Sequence, residues 1–536
     1  MIPLVGNRRR AWLLAAGVAV LALGQCGGAF AMFTDSTTAG PGSFQTGTLP
    51  IPAGLAVSNG GCSGGTAQTN VTSSWTGSSA LDGSGNYLVV GYSVLRSASS
   101  SGPYSSAGTV TGSPPPARYT DSSPSGATTP LVYVSAGSGA TTAQSINSST
   151  YGTATVTLSG AVGDEPNALQ GTPDGSKLIV AEGAAHQVQI VSTSTGAVTN
   201  TVSIPAVGAT QSKPNAVAVS PSGTTAWIVD AANDLVYPLS LATSTLGTAI
   251  SVGTQGDPTA MVVTPNGAQV FVADYGSHQV SAIDTSTDAV TNIAVGGTTG
   301  IPIALAVTPN SAHVYVADEG NSQIDDITTS SDTVSATIDV PSLADGDGFV
   351  PNGGDPNILA VTPNGAKVYV ASFGGGSVED ITTSNDAVAK TFALPAGGVL
   401  GPAAPNALAL TPNGCQLYVN DYDNNKVDLI DVSTDTLAAS TTAVGQTGDP
   451  TGMAVTPSGA AVYVANFYDS TVSVISTSGN TVVDTPGTGS GGNSPYAIAI
   501  TPSSYYYEVS GTHGGWTSAP SSPAMYTLGW NIGGWQ

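Results

Sequence analysis

One phrase recurs eight times in this chain. From residue 166 onward it reads PNALQGTPDG, PNAVAVSPSG, PTAMVVTPNG, PIALAVTPNS, PNILAVTPNG, PNALALTPNG, PTGMAVTPSG and PYAIAITPSS. The turn tetrads begin at Thr172, Ser220, Thr264, Thr308, Thr362, Thr411, Thr456 and Thr501, so successive spacings are 48, 44, 44, 54, 49, 45 and 45 residues. A unit of that size cannot bury its apolar face alone, so copies must stack on one another. Each tetrad is followed by a β-branched or aromatic run such as VFVAD, VYVAS or VYVAN, then by an alternating strand such as QVSAID or TVSVIS. A Ser/Thr/Asp/Asn turn and a Thr/Val-rich fourth strand complete the unit. Four short strands punctuated by turns make one β-propeller blade. In the tetrad, Pro presets φ and Asn-Gly accepts the tight corner, which places it between the first and second strands (a and b).

Counting fixes how the ring closes. Strand-b runs extend from LVYV at Leu131 to VYVA at Val462, and strand-a phrases from Pro166 to Pro495, eight of each. The closing blade is expected to take its innermost strand from Tyr496–Thr501 and its other three from residues 131–160. Eight blades follow from this count. Seven is the alternative, with one terminal half-blade pairing elsewhere.

The TPNG–VYVAN pairing, recurring in register from Pro130 to Ser504, resembles the YVTN family of β-propeller repeats, found in prokaryotic surface-layer and exported proteins. The resemblance implies an all-β fold and an exported setting. It names a fold more than a function, since propellers host lyases, hydrolases, haem proteins and plain binding platforms.

The flanks have a different texture. Residues 1–31 read as a secretory signal: Arg8-Arg9-Arg10, an apolar run to Gly24, and Ala29-Phe30-Ala31 as the cleavage site. A Gly/Ser/Thr-rich lead occupies residues 32–49. Residues 50–123 show alternating strands with Trp75, Tyr92 and Tyr119, and resemble the first part of a fibronectin type III β-sandwich. Its last two strands are expected at the other end of the chain, where Tyr505-Tyr506-Tyr507-Glu508-Val509 and Gly515-Trp516-Thr517-Ser518 fall within residues 505–518. The propeller, residues 130–504, is then an insertion in the sandwich, with residues 519–536 as a tail whose aromatics read as a docked strand. Once the signal is gone, Cys62 and Cys415 remain in what read as different domains, and no disulfide framework is expected.

Removing the three signal arginines leaves 7 Lys+Arg against 34 Asp+Glu, a net charge of −27. Nucleic acid and anionic membrane surfaces are therefore poor partners, and no apolar span suggests membrane insertion after signal removal. The expected location is secreted, extracellular or at the cell surface.

The propeller face formed by the b–c and d–a connections carries the positions most able to do chemistry. Strand b ends, blade by blade, on Ala136, Glu182, Asp230, Asp274, Asp318, Ser372, Asp421 and Asn466, and the strand-a proline is preceded by Glu165, Lys213, Asp257, Ile301, Asp355, Ala404, Asp449 or Ser494. Nine of these sixteen positions are acidic, which predicts an acidic disc around the channel mouth. Two readings stand side by side. In one, each carboxylate caps its own turn by accepting backbone N–H bonds. In the other, Asp230, Asp274 and Asp318 form a cation-binding arc, joined by Asp345 and Asp347 of a DGDG fragment in the longest d–a loop, with Ca²⁺ as the implied cofactor. Glu182, Asp257, Asp355, Asp421 and Asp449 would then belong to a binding face.

The four histidines, His186, His278, His313 and His513, are spread around the chain and read as ordinary polar residues. The sequence contains no GxSxG elbow, HExxH helix or CxxCH haem site. The function expected is therefore non-enzymatic: recognition of an envelope protein or glycan through the loop-rich acidic face. A metal-dependent lyase or hydrolase with its site at the channel mouth is the alternative.

Overall fold

The computed structural model describes strands at 53–59, 71–76, 91–97, 105–111 and 118–121, and then residues 130–528 apart from 137–141, 159–165, 254–256, 341–355, 396–402, 439–441, 446–449, 489–494, 502, 514–515 and 518–523. Eight antiparallel sheets form an eight-bladed β-propeller. Blade one consists of Pro166–Gly171 (a), Lys177–Glu182 (b), Gln187–Ser192 (c) and Ala197–Ser203 (d), paired in that order. The a strands of blades two to seven begin at Pro214, Pro258, Pro302, Pro356, Pro405 and Pro450. In blade eight, Pro495–Ile500 pairs with Leu131–Ala136, which pairs with Thr142–Asn147 and then Thr153–Thr157. The split blade foreseen from the count is thus the one observed. Leu131 N–H donates to Thr501 Oγ1 at 2.8 Å and Thr501 N–H to the Leu131 carbonyl at 2.9 Å, closing a ring between residues 370 apart.

The strands differ in composition because they differ in what covers them. Strand b lies between neighbouring blades on both faces and is a continuous apolar run, as in Lys177–Glu182 and Ala461–Asn466. Strand d lies on the rim and alternates with solvent, as in Ala197–Ser203. Cores form between successive blades: Ile179, Ile190, Ile228 and Leu239 join blades one and two, while Val134, Ile498, Tyr463 and Val474 join seven and eight. Each such side chain contributes about 1.5–3 kcal/mol by burial.

Two rings of hydrogen bonds tie blades together. On the b–c face, the residue after the strand-a proline donates to the next blade's proline carbonyl: Asn215 to Pro258 (3.1 Å), Asn357 to Pro405 (3.1 Å), Asn406 to Pro450 (3.0 Å) and Thr451 to Pro495 (3.2 Å). On the a–b face, strand b reaches the next blade's c–d turn: Gln269 to Asp332 (2.8 Å), Tyr315 to Asp386 (2.9 Å), Lys367 to Asp435 (2.5 Å) and Tyr418 to Asn480 (2.6 Å). These acceptors sit at positive φ (51°, 47°, 51° and 50°), a conformation that Asp and Asn tolerate better than most residues. The glycine of the a–b tetrad has a second constraint besides its φ. A Cβ on Gly414, at φ +69°, would lie 2.9 Å from Pro363 Cδ of the preceding blade.

Two further sheets lie outside the ring. One pairs Ala53–Asn59, Val71–Thr76 and Arg118–Asp121 in that order. The other runs Ser105–Thr111, Gly91–Ser97, Ser503–His513, Trp516–Thr517, with Ala524–Leu528 also on the long strand. The C-terminal tyrosine strand therefore pairs with the N-terminal part of the chain: Ser93 is opposite Ser510 and Arg96 opposite Tyr507. It is longer than the sequence suggested, and Tyr526 lies opposite Tyr505 in a docked strand. The packing of Trp75 and Trp516, and the residues Trp530 and Trp535, lie outside the described residues. Among the described residues no helix is long and apolar enough to cross a membrane.

The chain enters the ring at the start of a strand b (Leu131) and leaves it at the end of a strand a (Thr501). Both crossings stand at the a–b end.

Candidate functional site

Five of the nine carboxylates expected to form the acidic disc are buried. Glu182, Asp230, Asp274, Asp318 and Asp421 at the strand-b ends are all shielded from solvent. In blades two, four and six they form one repeated lock. Asp230 Oδ1 accepts the Lys213 N–H at 2.7 Å, Asp318 Oδ1 the Ile301 N–H at 2.6 Å, and Asp421 Oδ1 the Ala404 N–H at 3.1 Å. Each donor is the residue before the strand-a proline. The second oxygen takes an Asn side chain three residues on: Asn233 at 2.7 Å, Asn321 at 2.7 Å and Asn424 at 2.8 Å. In return, the carbonyls of Lys213, Ile301 and Ala404 accept N–H bonds from Ala231, Glu319 and Tyr422, each at 3.0 Å. The lock joins the b–c turn to the d–a loop of the same blade. Its sequence signal, Asp-x-x-Asn at the end of strand b, is present in all three blades.

The other blades fill the position differently. Glu182 accepts from Gln187 (2.6 Å) and Gln189 (2.7 Å), Asp274 from Ser281 (2.7 Å), and Ser372 donates to Glu379 (2.6 Å). Asp230, Asp274 and Asp318 are thus held one per blade, each by partners of its own blade, and are not brought together. Among the described residues no three His, Cys, Asp or Glu side chains gather in a group able to hold a metal ion. Asp257 is exposed at φ 34°. Asp345, Asp347, Asp355 and Asp449 lie outside the described residues. His186 and His278 make equivalent contacts through Nδ1, with the carbonyls of Ser212 and Gly300, and His313 pairs with Asp326 at 2.9 Å. His186 and Glu182 therefore have separate partners.

The acids that sequence reasoning missed are inside strand c. Asp325 and Asp326 in QIDDIT, Glu379 and Asp380 in SVEDIT, and Asp428 in KVDLID are buried. Acidic residues in the middle of an otherwise aliphatic strand were the available signal. Most have partners: Asp325 accepts from Thr337 at 2.6 Å, Asp380 from Lys367 at 2.7 Å, and Glu379 from Ser372 and Ser377. Asp428 is the exception. It is 1% exposed and neither of its oxygens has a hydrogen-bond partner. Burial, reinforced by the Asp421 charge and opposed by Lys426, pushes its pKa up to about 7. Burial likewise raises Asp274 to about 6 against the hydrogen bonds from Ser281 and Gln279. Burial, not repulsion along an acidic arc, is the larger cause.

A pH dependence follows. Between about pH 4 and 7 the folded chain keeps the Asp428 proton while the unfolded chain has lost it, so the folded state binds more protons. Its contribution to stability is full below the unfolded pKa and declines as pH rises through the window. Asp428→Asn should match the parent near pH 4 and exceed it at pH 8 by on the order of 2–4 kcal/mol, at 1.36 kcal/mol per pKa unit. Urea unfolding at the two pH values measures this; an identical pH slope in parent and variant would show that Asp428 is solvated or paired.

The b–c face also exposes aromatic residues. The residue after strand b is Tyr275 in blade three, Phe373 in five, Tyr422 in six and Phe467 in seven, where Tyr468 follows. Tyr275, Phe373 and Tyr468 are 42%, 36% and 63% exposed. On the other face, Cys415, beside the blade-six tetrad, is buried and disulfide-bonded. That departs from the reading that no disulfide framework is expected. Its partner is outside the described residues, and the sequence offers Cys26 and Cys62.

No family model matches the chain, and no curated protein matches it. Among solved structures, the chain is similar to the dihydro-heme d1 dehydrogenase NirN in complex with DHE, at 12% identity and a TM-score of 0.55, over 68% of this chain and 74% of that one. It also matches hydrazine synthase of Kuenenia stuttgartiensis (21% identity, TM-score 0.44, 58% of this chain and 95% of that one) and a streptogramin B lyase (14%, 0.44, 56% and 89%). At these identities the likeness is one of fold, and the fold does not carry the function.

Proposed function

We propose that this is an exported, non-enzymatic binding protein, a YVTN-type propeller carried on a fibronectin type III-like sandwich. It works at the cell surface or in the medium and holds an envelope protein or glycan on its b–c face. The observation that carries the reading is positional: both chain crossings stand at the a–b end, while the opposite face presents exposed aromatic turns. The strand orders of the two outer sheets, with the last strands drawn from the far end of the chain, support the sandwich. A disulfide at Cys415 supports an oxidising compartment. The lyase or hydrolase alternative needs a metal at the channel mouth, and the strand-b carboxylates of blades two, four and six are engaged as turn locks.

Cell fractionation tests the location and sedimentation tests the binding. The mature chain is expected in the medium or protease-accessible at the surface, with Cys415 in a disulfide on non-reducing peptide mapping. It should co-sediment with isolated envelope material, and pretreatment of that material with protease or periodate separates a protein target from a glycan. A cytoplasmic chain with free thiols, or one that ignores the envelope, would overturn the proposal.

A further inference from the structure

We infer that the aromatic turns of blades five, six and seven form a docking site for an arginine-bearing segment of a partner protein, an inference that rests on the b–c face being the binding face. Phe373, Tyr422 and Phe467 hold the same place, first after strand b, in three consecutive blades, so the ring symmetry sets them side by side. Phe373 and Tyr422 approach to 6.5 Å between centroids at 52°, and Phe467 and Tyr468 to 5.0 Å at 87°. The rings therefore present differently tilted faces along one arc. Tyr468 and Phe373 are among the largest apolar side chains that the described residues expose. Blades one, two and four have Gly183, Ala231 and Glu319 at this position, which leaves Tyr275 of blade three isolated and makes blades five to seven a run of consecutive aromatic turns.

Charge selects the occupant. Aromatic faces carry a negative quadrupole that attracts ammonium and guanidinium groups. Asp423 and Asp469 follow the rings in the same turns, and the whole chain has 34 acidic residues against 10 basic. Lys426, at the far end of the blade-six turn, faces the buried Asp421 and Asp428. An anionic partner would meet net repulsion, whereas a cationic segment gains from both the rings and the field. Arginine is favoured over lysine because its planar guanidinium also stacks. Aromatic anchors of this kind carry most of the energy of protein interfaces.

The test uses the mature chain, residues 32–536, and two probes of equal charge: an acetylated peptide with three Gly-Arg repeats and its Gly-Lys counterpart. Calorimetric titration at fixed ionic strength should show the arginine peptide binding more tightly. The variant Phe373→Ala/Tyr468→Ala keeps every charge, so diffuse attraction to an acidic protein is unchanged. It is expected to lose at least tenfold in affinity, while Val483→Ala, an exposed apolar residue on the rim of blade seven, loses nothing. Melting curves establish that each variant is folded. Equal affinity in parent and double variant overturns the inference, as does equal affinity for the two peptides. So does tighter binding of a neutral oligosaccharide, chitohexaose, that depends on the same two rings. If the double variant still sediments with envelope material as the parent does, the docking site is wrong and the broader binding function stands.

Discussion

Deleting residues 495–536 should abolish the folded monomer. The deletion removes Pro495–Ile500, the innermost strand of blade eight, and leaves Leu131–Ala136 with an unpaired inner edge. Ile498, buried between Val134 and the blade-seven residues Tyr463 and Val474, is lost from the last inter-blade core. The Thr451 hydroxyl loses the Pro495 carbonyl, and the Leu131–Thr501 bonds that close the ring disappear. Gly91–Ser97 loses its partner Ser503–His513 at the same time. An open propeller with apolar strand edges is a template for association. Expected are high-mass species in size-exclusion chromatography with light scattering and the loss of a single cooperative melt. A soluble monomer with the parent's melting midpoint would mean that the ring does not depend on its split blade.

The second large effect is expected at the turn lock. Asp318→Ala leaves the half-buried Ile301 N–H without its acceptor and the Asn321 amide with only the Gly296 carbonyl. Hydrogen bonds to a charged group are worth more than neutral ones, and abandoned buried donors cost more than the bond itself, so the loss should be about 2–4 kcal/mol. Asp318→Asn keeps one acceptor oxygen but sets its amide against that of Asn321, and should lose about half as much. Chemical denaturation at neutral pH reads both. The same logic separates the two sequence readings of these acids. If Asp230 and Asp318 are turn locks and Asp274 is held by Ser281, replacing all three by Asn lowers the melting midpoint equally with and without millimolar Ca²⁺ at fixed ionic strength. A Ca²⁺ increment present in the parent and absent from the triple variant would restore the cation-binding arc.

The fold was legible because a propeller is written in repeats. The period of the tetrads, the apolar strand b and the count from Leu131 to Pro495 together implied eight blades and a split closure, and the sheet pairings bear out both. The pairing of the C-terminal tyrosines with the strand at Gly91–Ser97 was also foreseeable, since unfinished strands at the two ends of a chain must find partners. The site was less legible. Nine acids at equivalent positions looked like a charged surface because repetition shows where residues recur and not what surrounds them. The lock partners Lys213 and Asp230 are 17 residues apart, as are Ile301 and Asp318, and come together only when strands a and b of a blade pair.

The sequence by itself determined which segments become strands, how they group into blades and how the ring closes, because these follow from alternation, turn chemistry and the repeat period, all local along the chain. Only the tertiary structure decided which polar residues meet solvent. Asp230 and Asp318 are buried by their own d–a loops, Asp428 is sealed inside strand c, and Phe373 and Tyr468 are exposed although they are apolar. Burial is set by what packs across a turn from another strand or another blade, and hydrophobic pattern along one strand carries no record of that neighbour.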